Sequence, residues 1–380
     1  MRLAIIFFSL CLQCSSALQG QTHFKVYLAG ADTVPPYIYV AGDFNGWQPA
    51  LPPHRLFLKE GSYQGTFYGL SSSIEFKFTL GSWELAEIDS VGAPHANRFA
   101  ILQPPDTLVL KVRFPRKRTA TRSPNVHLLP QAFYMPQLQR ERKVWLYLPP
   151  NYQQSSQRYP VWYMHDGQNL FDASTGSSTE WRIDESLDSL AALGHAVPIV
   201  VGINHGGSKR LEELSPFINS NYGGGRANHY LHFITQVVKP YIDSNYRTLP
   251  QRQHTGIGGS SLGGLASIYA LAQYPQVFSK ALIFSPAYWF NPQIYEHLQK
   301  TQWQNNFSVY QMAGELERVN GGVALADDLM RMEQILSALN SASFVLEKKV
   351  VDQGEHSEKL WQQAFPEAFL WFNETSRQGQ

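Results

Sequence analysis

Residues 126–375 alternate two kinds of segment, and this alternation restricts the possible fold more than any other feature of the sequence. The stretches PVWYM, PIVVGI, ALIFS and FSVYQM are nearly continuous apolar runs. Between them, RIDESLDSLAAL, HYLHFITQVV and ASIYALAQY carry apolar residues at helical spacing. Strands that alternate with helices form a mostly parallel sheet that is buried on both faces. The pattern therefore predicts an α/β domain over residues 126–375.

Residues 22–115 have a different pattern. Short segments such as FKVYLAG, YIYVAGDF and IEFKFTLGSW alternate apolar and polar positions, with Gly, Pro and Asp between them. Regularly spaced short strands with turn residues are typical of an immunoglobulin-like all-β sandwich. The following stretch, RKRTATRSPN at 116–125, is basic and polar without hydrophobic periodicity, and it predicts a linker.

The first twenty residues are predicted to be a signal peptide. Arg2 precedes an apolar run from Leu3 to Leu12, and small residues follow it, as in a cleavage site. The chain's two cysteines, Cys11 and Cys14, lie in this segment, so we expect a mature chain without disulfides, thiolate metal sites or a cysteine nucleophile. No other apolar run approaches the roughly 20 residues of a membrane helix. We therefore expect an exported protein, periplasmic or secreted, without a membrane span.

The charge balance argues against a nucleic-acid partner. The 380 residues have a formal net charge of +1 at pH 7, which gives no overall field that would attract nucleic acid or an anionic membrane surface. Aromatic residues make up 13% of the chain, a high share that suits either sugar-binding surfaces or a dense core.

The segment GGSSLGG contains the pattern G-x-S-x-G from Gly259 to Gly263. This pattern places a serine on a sharp turn between a strand and a helix, with its hydroxyl exposed at the top of the sheet. The flanks agree with that geometry, since an apolar run ends at Gly258 and helical spacing begins at Leu265. The position within the pattern predicts Ser261 as a nucleophile; the alternative is a tight turn without chemistry.

A nucleophilic serine needs a base, and two histidines follow Ser261 in the sequence. His356 lies in the polar loop DQGEHSEKLW, from which it could reach over the top of the sheet. The alternative, His297, occupies a helix-like position that is typical of a surface. We therefore favour His356.

The acid of such a site is expected between the serine and the histidine. Glu317 follows the strand-like run VYQMAG and lies where catalytic groups gather in α/β sheets, at the carboxyl end of a strand. Glu315 is two residues closer to the strand and stays open as the alternative.

A serine that attacks a carbonyl carbon produces a tetrahedral intermediate with a negatively charged oxygen, the oxyanion. Its stabilisation needs two backbone N–H donors. Leu262 follows the predicted nucleophile and supplies the first. The second is expected after the strand in VWYMHDGQNLFD, on Gln168, with Gly167 as the alternative. His165 and Asp166 are interpreted as loop structure.

The motifs YMHDGQNLFD, GINHGGSKRLEELSP, GIGGSSLGGLASIYALAQYP, AGELE and GEHSEKLW together resemble an esterase family of α/β-hydrolases. Its members include enterochelin, feruloyl and acetylxylan esterases, S-formylglutathione hydrolase and mycolyltransferases. The resemblance covers residues 126–375 and implies a triad of Ser261, Glu317 and His356. It also implies oxyanion donors on Leu262 and Gln168, without a metal or cofactor.

The segments YIYVAGDFNGWQP and EFKFTLGSWEL resemble starch- and glycogen-binding modules of the early-set β-sandwich type. That resemblance implies a glucan site on Trp47, Lys77, Trp83 and Asn97. The alternative is a packing domain that binds no sugar.

The sequence as a whole predicts an exported serine carboxylesterase that acts on an ester, most simply of an acylated carbohydrate. A siderophore esterase and an acyltransferase with the same triad are the alternatives. A glucan-binding protein without activity is a third, which the intact triad disfavours.

Overall fold

The computed structural model describes residues 20–29, 34–89, 95–114, 120–176, 179–303, 306–319, 323–339 and 344–378. The chain forms two compact units, Met1–Arg118 and Thr119–Gln380. The division falls within the predicted linker 116–125. The predicted signal peptide, apart from Gly20, lies outside the described residues, and its removal stays a prediction.

The N-terminal unit contains one seven-stranded sheet with the order β6-β5-β2-β3-β4-β1-β7. The strands are β1 (Gln21–Leu28), β2 (Tyr37–Gly42), β3 (Arg55–Lys59), β4 (Ser62–Tyr68), β5 (Ser73–Thr79), β6 (Arg98–Ile101) and β7 (Asp106–Val112). All neighbours are antiparallel except β1 and β7. Its core includes Phe24, Phe76 and Phe78, which pack edge to face. The strand prediction holds for this unit, whereas its immunoglobulin-like assignment stays a prediction.

The C-terminal unit is built on an eight-stranded sheet with the order β21-β18-β17-β16-β12-β13-β11-β8. Its strands are β8 (Val126–Leu128), β11 (Val144–Tyr147), β12 (Val161–His165), β13 (Ile199–Ile203), β16 (Thr255–Ser260), β17 (Lys280–Phe284), β18 (Phe307–Gly314) and β21 (Phe344–Val351). Three two-stranded ladders are formed by β9 (Phe133–Met135) with β10 (Arg140–Arg142), β14 (Ile218–Asn219) with β15 (Gly223–Gly224), and β19 (Arg318–Val319) with β20 (Val323–Ala324). In the large sheet the neighbours from β13 to β21 are parallel, and β11 is antiparallel to both of its neighbours.

Helices cover both faces of this sheet. They are α1 (Ile183–Ala192), α2 (Arg210–Leu214), α3 (Ala227–Phe233), α4 (Lys239–Asn245), α5 (Leu262–Gln273), α6 (Gln293–Lys300), α7 (Leu325–Ser337) and α8 (Glu358–Gln378). Side chains of α1 and α8 enter one apolar cluster, and those of α2 to α7 enter the other. The predicted α/β architecture with a mostly parallel sheet is confirmed. Among the described residues, no helix combines the length and the apolar character that crossing a membrane requires.

One predicted helix is divided. The stretch HYLHFITQVVKPYIDSNY forms α3 and α4, with a π-helical turn at Ile234–Val238 between them. Pro240 is the second residue of α4, and its missing N–H interrupts the regular pattern of helical hydrogen bonds.

The glycines of β16 allow its neighbours to pack against it closely. A Cβ atom on Gly256 would lie 2.6 Å from the ring of Trp162. A Cβ atom on Gly258 would lie 2.8 Å from the Leu282 carbonyl oxygen and 2.8 Å from the Met164 sulfur. Since β16 leads into the predicted nucleophile, this packing fixes the strand that positions it.

We predict that Gly258→Ala destabilises the protein. The added methyl group would press on the backbone of β17, and such overpacking costs about 1–3 kcal/mol of unfolding free energy. Equilibrium denaturation measures the change. Ser308→Ala, in the same sheet, adds no atom and serves as the control, for which a change below about 0.5 kcal/mol is expected. An equal loss in both variants would contradict the packing argument.

Candidate active site

Ser261 occupies a strained turn between β16 and α5. Its backbone angles are φ 57° and ψ −121°, a conformation that non-glycine residues rarely adopt. Two backbone hydrogen bonds hold it there: the Ser261 N–H donates to the Phe284 carbonyl at 3.0 Å, and the Ala287 N–H donates to the Ser261 carbonyl at 3.0 Å. The turn is therefore fixed by the strand β17 and the loop that follows it.

The glycines around Ser261 make room for His165. A Cβ atom on Gly259 would lie 3.0 Å from the His165 ring, and one on Gly263 would lie 3.2 Å from the His165 Cβ. Ser260, the neighbouring serine, is buried at 5% exposure within the strand. The two serines therefore differ in environment, because Ser261 is only half-buried and lines a cavity.

That cavity has a volume of about 220 Å³ and is lined by Ser261, Trp289, Glu317, Arg318, Leu325 and His356. The three residues predicted as a triad therefore share one cavity, although they are distant in sequence. Within it, the His356 Nδ1 donates to the Glu317 Oε2 at 2.6 Å. The distance is that of a short, charge-assisted hydrogen bond.

The Glu317 carboxylate is held by a network that the sequence did not indicate. Its Oε1 accepts from the Ser285 hydroxyl at 2.7 Å and from the Gly314 N–H at 2.6 Å. The Trp361 indole N–H donates to the Ser285 Oγ at 2.8 Å. Because Glu317 is only 5% exposed, these donors offset the cost of burying a charge and leave Oε2 directed at His356.

Trp361 also contacts the histidine directly. Its ring packs edge to face against His356, with the centroids 5.2 Å apart and the planes at 87°. Trp361 therefore restricts both the acid, through Ser285, and the orientation of the imidazole. Ser285 directly follows β17, and Glu317 follows β18 by three residues, so the position of Ser285 was a usable signal. Trp361 is the last residue of the motif GEHSEKLW, but no role was predicted for it.

The alternatives for acid and base lie elsewhere. Glu315 is exposed, and its Oε2 accepts from the Gln353 N–H at 3.2 Å. His297 lies on α6, where its Nε2 is 2.8 Å from the Gln273 Nε2, and it does not line the cavity. The structure brings together Glu317 and His356 rather than either alternative.

The loop after β12 is fixed by an ion pair. Asp166 has a positive φ of 56°, and its two carboxylate oxygens accept from Arg210 at 2.7 and 2.8 Å. Burial favours a raised pKa for Asp166, but the charge and hydrogen bonds of Arg210 outweigh it and hold the pKa below its usual range. This aspartate was interpreted as simple loop structure, and its partner 44 residues away was missed.

The same loop carries the residues proposed as the second oxyanion donor. A Cβ atom on Gly167 would lie 2.5 Å from the Gly202 carbonyl, so only glycine allows this approach. The Gln168 side-chain Oε1 accepts from the His205 N–H at 3.1 Å, which ties the loop to the segment after β13. Leu262 is the first residue of α5, where the backbone N–H has no partner within the helix.

His165 is a buried neighbour of this loop. It is 1% exposed, and its Nδ1 lies 3.0 Å from the Tyr230 hydroxyl. Burial lowers the pKa of His165 to about 4. The ring is therefore neutral at pH 7 and packs between the glycines that flank Ser261.

The residues proposed for a sugar site lie in the N-terminal unit. Trp47 and Trp83 are brought together, with ring centroids 6.4 Å apart and planes at 40°. Trp83 is 43% exposed. Asn97 is exposed, and its side-chain amide donates to the Glu75 Oε1 at 3.0 Å. Lys77 lies on β5, two residues after Glu75, and is half-buried. The structure thus pairs the two tryptophans.

Residues 136–372 match the model of the esterase family described as "Putative esterase". This match spans more than half of the chain. The chain belongs to this esterase family. The matched residues lie in the C-terminal unit, whose mostly parallel sheet with helices on both faces is consistent with an α/β-hydrolase type of fold.

Individual proteins are similar to this chain in sequence or in fold. The uncharacterized protein YbbA of Bacillus subtilis is 34% identical over 155 residues, which are 39% of this chain and 58% of that protein. The BES protein of Bacillus cereus has a similar fold, with a TM-score of 0.54 at 18% identity over 68% of this chain and 98% of that one. The enterobactin esterase FES of Shigella flexneri has a TM-score of 0.51 at 14% identity, over 89% of this chain and 88% of that one.

We predict that His165 makes stability pH-dependent. Its pKa of about 4 lies below the usual value of about 6.5, so the unfolded chain binds more protons between these values. The stabilisation is complete above about pH 6.5 and is lost as the pH falls towards 4, by about 3 kcal/mol in total. Unfolding free energies of the wild type and of His165→Asn, measured from pH 7 to 4, test this.

Between pH 7 and pH 4, His165→Asn should lose less unfolding free energy than the wild type does. His127→Asn, at an exposed histidine, serves as the control and should behave as the wild type. Parallel curves for the wild type and His165→Asn would contradict the assignment of this pH dependence to His165.

Proposed function

We propose that the protein is a serine carboxylesterase in which Ser261, His356 and Glu317 act together. One observation carries the proposal: a serine on a strained strand-to-helix turn shares a 220 Å³ cavity with a buried glutamate that is hydrogen-bonded to a histidine. This is the arrangement that nucleophilic catalysis requires, since a serine hydroxyl is not acidic enough to react unaided.

In the proposed reaction, the Ser261 Oγ attacks the ester carbonyl carbon while the His356 Nε2 accepts the hydroxyl proton. Glu317 keeps the proton on Nδ1 and stabilises the imidazolium without itself becoming protonated. The negative oxygen of the tetrahedral intermediate accepts from the backbone N–H groups of Leu262 and Gln168.

The intermediate then collapses. The bond to the alcohol oxygen breaks, His356 returns its proton to that oxygen, and the acyl group stays on Ser261. Water repeats the sequence on the acyl-enzyme and releases the carboxylic acid and the free serine. With a sugar hydroxyl in place of water, the same steps would give acyl transfer.

For the substrate, we propose an ester of an acylated carbohydrate. The paired tryptophans of the N-terminal unit support this choice, because aromatic rings stack on the apolar faces of sugars. A siderophore ester is the second candidate. It is supported by the likeness in fold to an enterobactin esterase, which covers 89% of this chain. This share is larger than the C-terminal unit, Thr119–Gln380, alone.

We predict that Ser261→Ala and Glu317→Gln each lower kcat on a nitrophenyl ester by at least about 10³-fold, because each removes a member of one catalytic unit. Steady-state kinetics measure the loss. Ser260→Ala and Glu315→Gln are matched controls, since they make the same changes one and two residues away. Full activity in Ser261→Ala would exclude the proposed nucleophile, and a loss in Glu315→Gln with none in Glu317→Gln would exclude the proposed acid.

A panel of acetylated sugar, feruloyl and catechol siderophore esters, assayed with the wild type and with Ser261→Ala, separates the substrate candidates. The largest Ser261-dependent kcat/KM on the sugar ester is the expected result. A preference for the siderophore ester would favour the second candidate. Formation of an acylated product on an added sugar acceptor would indicate transfer.

We further propose that Trp47, Lys77, Trp83 and Asn97 bind a glucan. Trp83→Ala is expected to weaken retention on immobilised amylose about tenfold, because it removes an exposed ring from the pair. Tyr68→Ala, at a tyrosine of the same unit that is 58% exposed, is the control. Equal retention of Trp83→Ala and the wild type would exclude the site.

A further inference from the structure

Three aromatic side chains lead from the catalytic cavity to the surface. Trp289 lines the cavity. The ring of Phe290 packs against Trp289 with the centroids 5.9 Å apart, and the ring of Tyr222 stacks on Phe290 with the centroids 5.9 Å apart and the planes at 29°. Phe290 is buried, whereas Tyr222 is 62% exposed. We call these three residues the aromatic ladder.

The loop that carries Tyr222 is tied to the ladder by Asn219. The Asn219 side-chain amide donates to the Phe290 carbonyl at 2.7 Å. Its Oδ1 accepts from the N–H groups of Asn221 and Tyr222 at 3.0 and 3.3 Å. The backbone of the loop is therefore fixed against the turn that contains Phe290.

Glycines give this loop its shape. Gly224 has a φ of 104°, and a Cβ atom there would lie 2.0 Å from the Ser215 Oγ. The strand pair β14 and β15 places Ile218 opposite Gly224, and Ile218 is 72% exposed. The loop therefore presents Ile218 and Tyr222 to solvent, and Tyr222 is connected to the cavity through Phe290 and Trp289. Exposed apolar surface that continues a binding cavity is typical of a ligand site.

We propose that Tyr222, held in place by its stacking on Phe290, forms a subsite for a ring with an apolar face, carried by the alcohol portion of the ester. This inference rests on the proposed function. The acyl group must stay on Ser261 inside the cavity until water arrives, whereas the alcohol must leave towards solvent. The ladder joins these two places, so the alcohol is the portion that lies along it.

Two kinds of alcohol share this chemistry. A pyranose presents the apolar face of its C–H groups, and an aryl alcohol presents its π-face; both stack on an exposed tyrosine. The Tyr222 hydroxyl is not needed for stacking, so a phenylalanine at this position would serve equally well.

The test compares acetate esters of three alcohols, an acetylated methyl pyranoside, 2-naphthyl acetate and ethyl acetate. Tyr222→Ala should lower kcat/KM about three- to tenfold on the ring-bearing esters and leave ethyl acetate unchanged. A loss on the pyranoside alone assigns the subsite to sugars, and a loss on the naphthyl ester alone assigns it to aryl alcohols. Tyr222→Phe should retain the wild-type values.

Tyr134→Ala is the matched control, because this tyrosine of the same unit is 51% exposed and does not line the cavity. Equal losses on all three esters, or no loss on either ring-bearing ester, would overturn the subsite. Inhibition by free 2-naphthol and by the free methyl pyranoside gives a second measurement in the wild type and Tyr222→Phe. Competitive inhibition by at least one of them in both proteins is expected, and none by either would also overturn it.

The subsite and the proposed function fail in different ways. If hydrolysis of all three esters is unchanged in Ser261→Ala, the proposed function fails. If hydrolysis depends on Ser261 but Tyr222→Ala does not distinguish ring-bearing from ethyl esters, only the subsite fails.

Discussion

The conformation of Ser261 is the constraint on which the rest of the site depends. A positive φ at a serine persists only if its surroundings hold it, and here the hydrogen bonds come from Phe284 and Ala287, on either side of Ser285. Ser285 in turn donates to Glu317. The segment 284–287 therefore fixes both Ser261 and the Glu317 carboxylate. Ser261 follows β16 and Glu317 follows β18, and these strands are the two parallel neighbours of β17.

The second constraint is the burial of Glu317. A carboxylate that is 5% exposed needs hydrogen-bond donors, and the structure provides them from Gly314, Ser285 and His356. Trp361 completes this arrangement from α8, where its indole N–H donates to Ser285 and its ring packs edge to face with the imidazole. These elements thus determine the orientation of His356, which lies in the loop before α8.

Features that depend on neighbouring residues could be predicted from the sequence. Features that depend on contacts between distant residues could not. The α/β alternation and the turn at Ser261 were readable because periodicity and paired glycines are local. The place of Glu317 after a strand predicted it as the acid, and its hydrogen bond to His356 favours it over Glu315. Arg210, which pairs with Asp166, was missed because its role depends on a contact across 44 residues, for which one sequence carries no signal.

The most direct test of the central claim is the site at which an active-site fluorophosphonate reacts. Peptide mapping by mass spectrometry after treatment of the wild type would locate the adduct. A single adduct on Ser261, formed much more slowly in His356→Ala, is the predicted result. An adduct on Ser260 or elsewhere, or equal rates in the two proteins, would contradict the assignment of Ser261 as a nucleophile activated by His356.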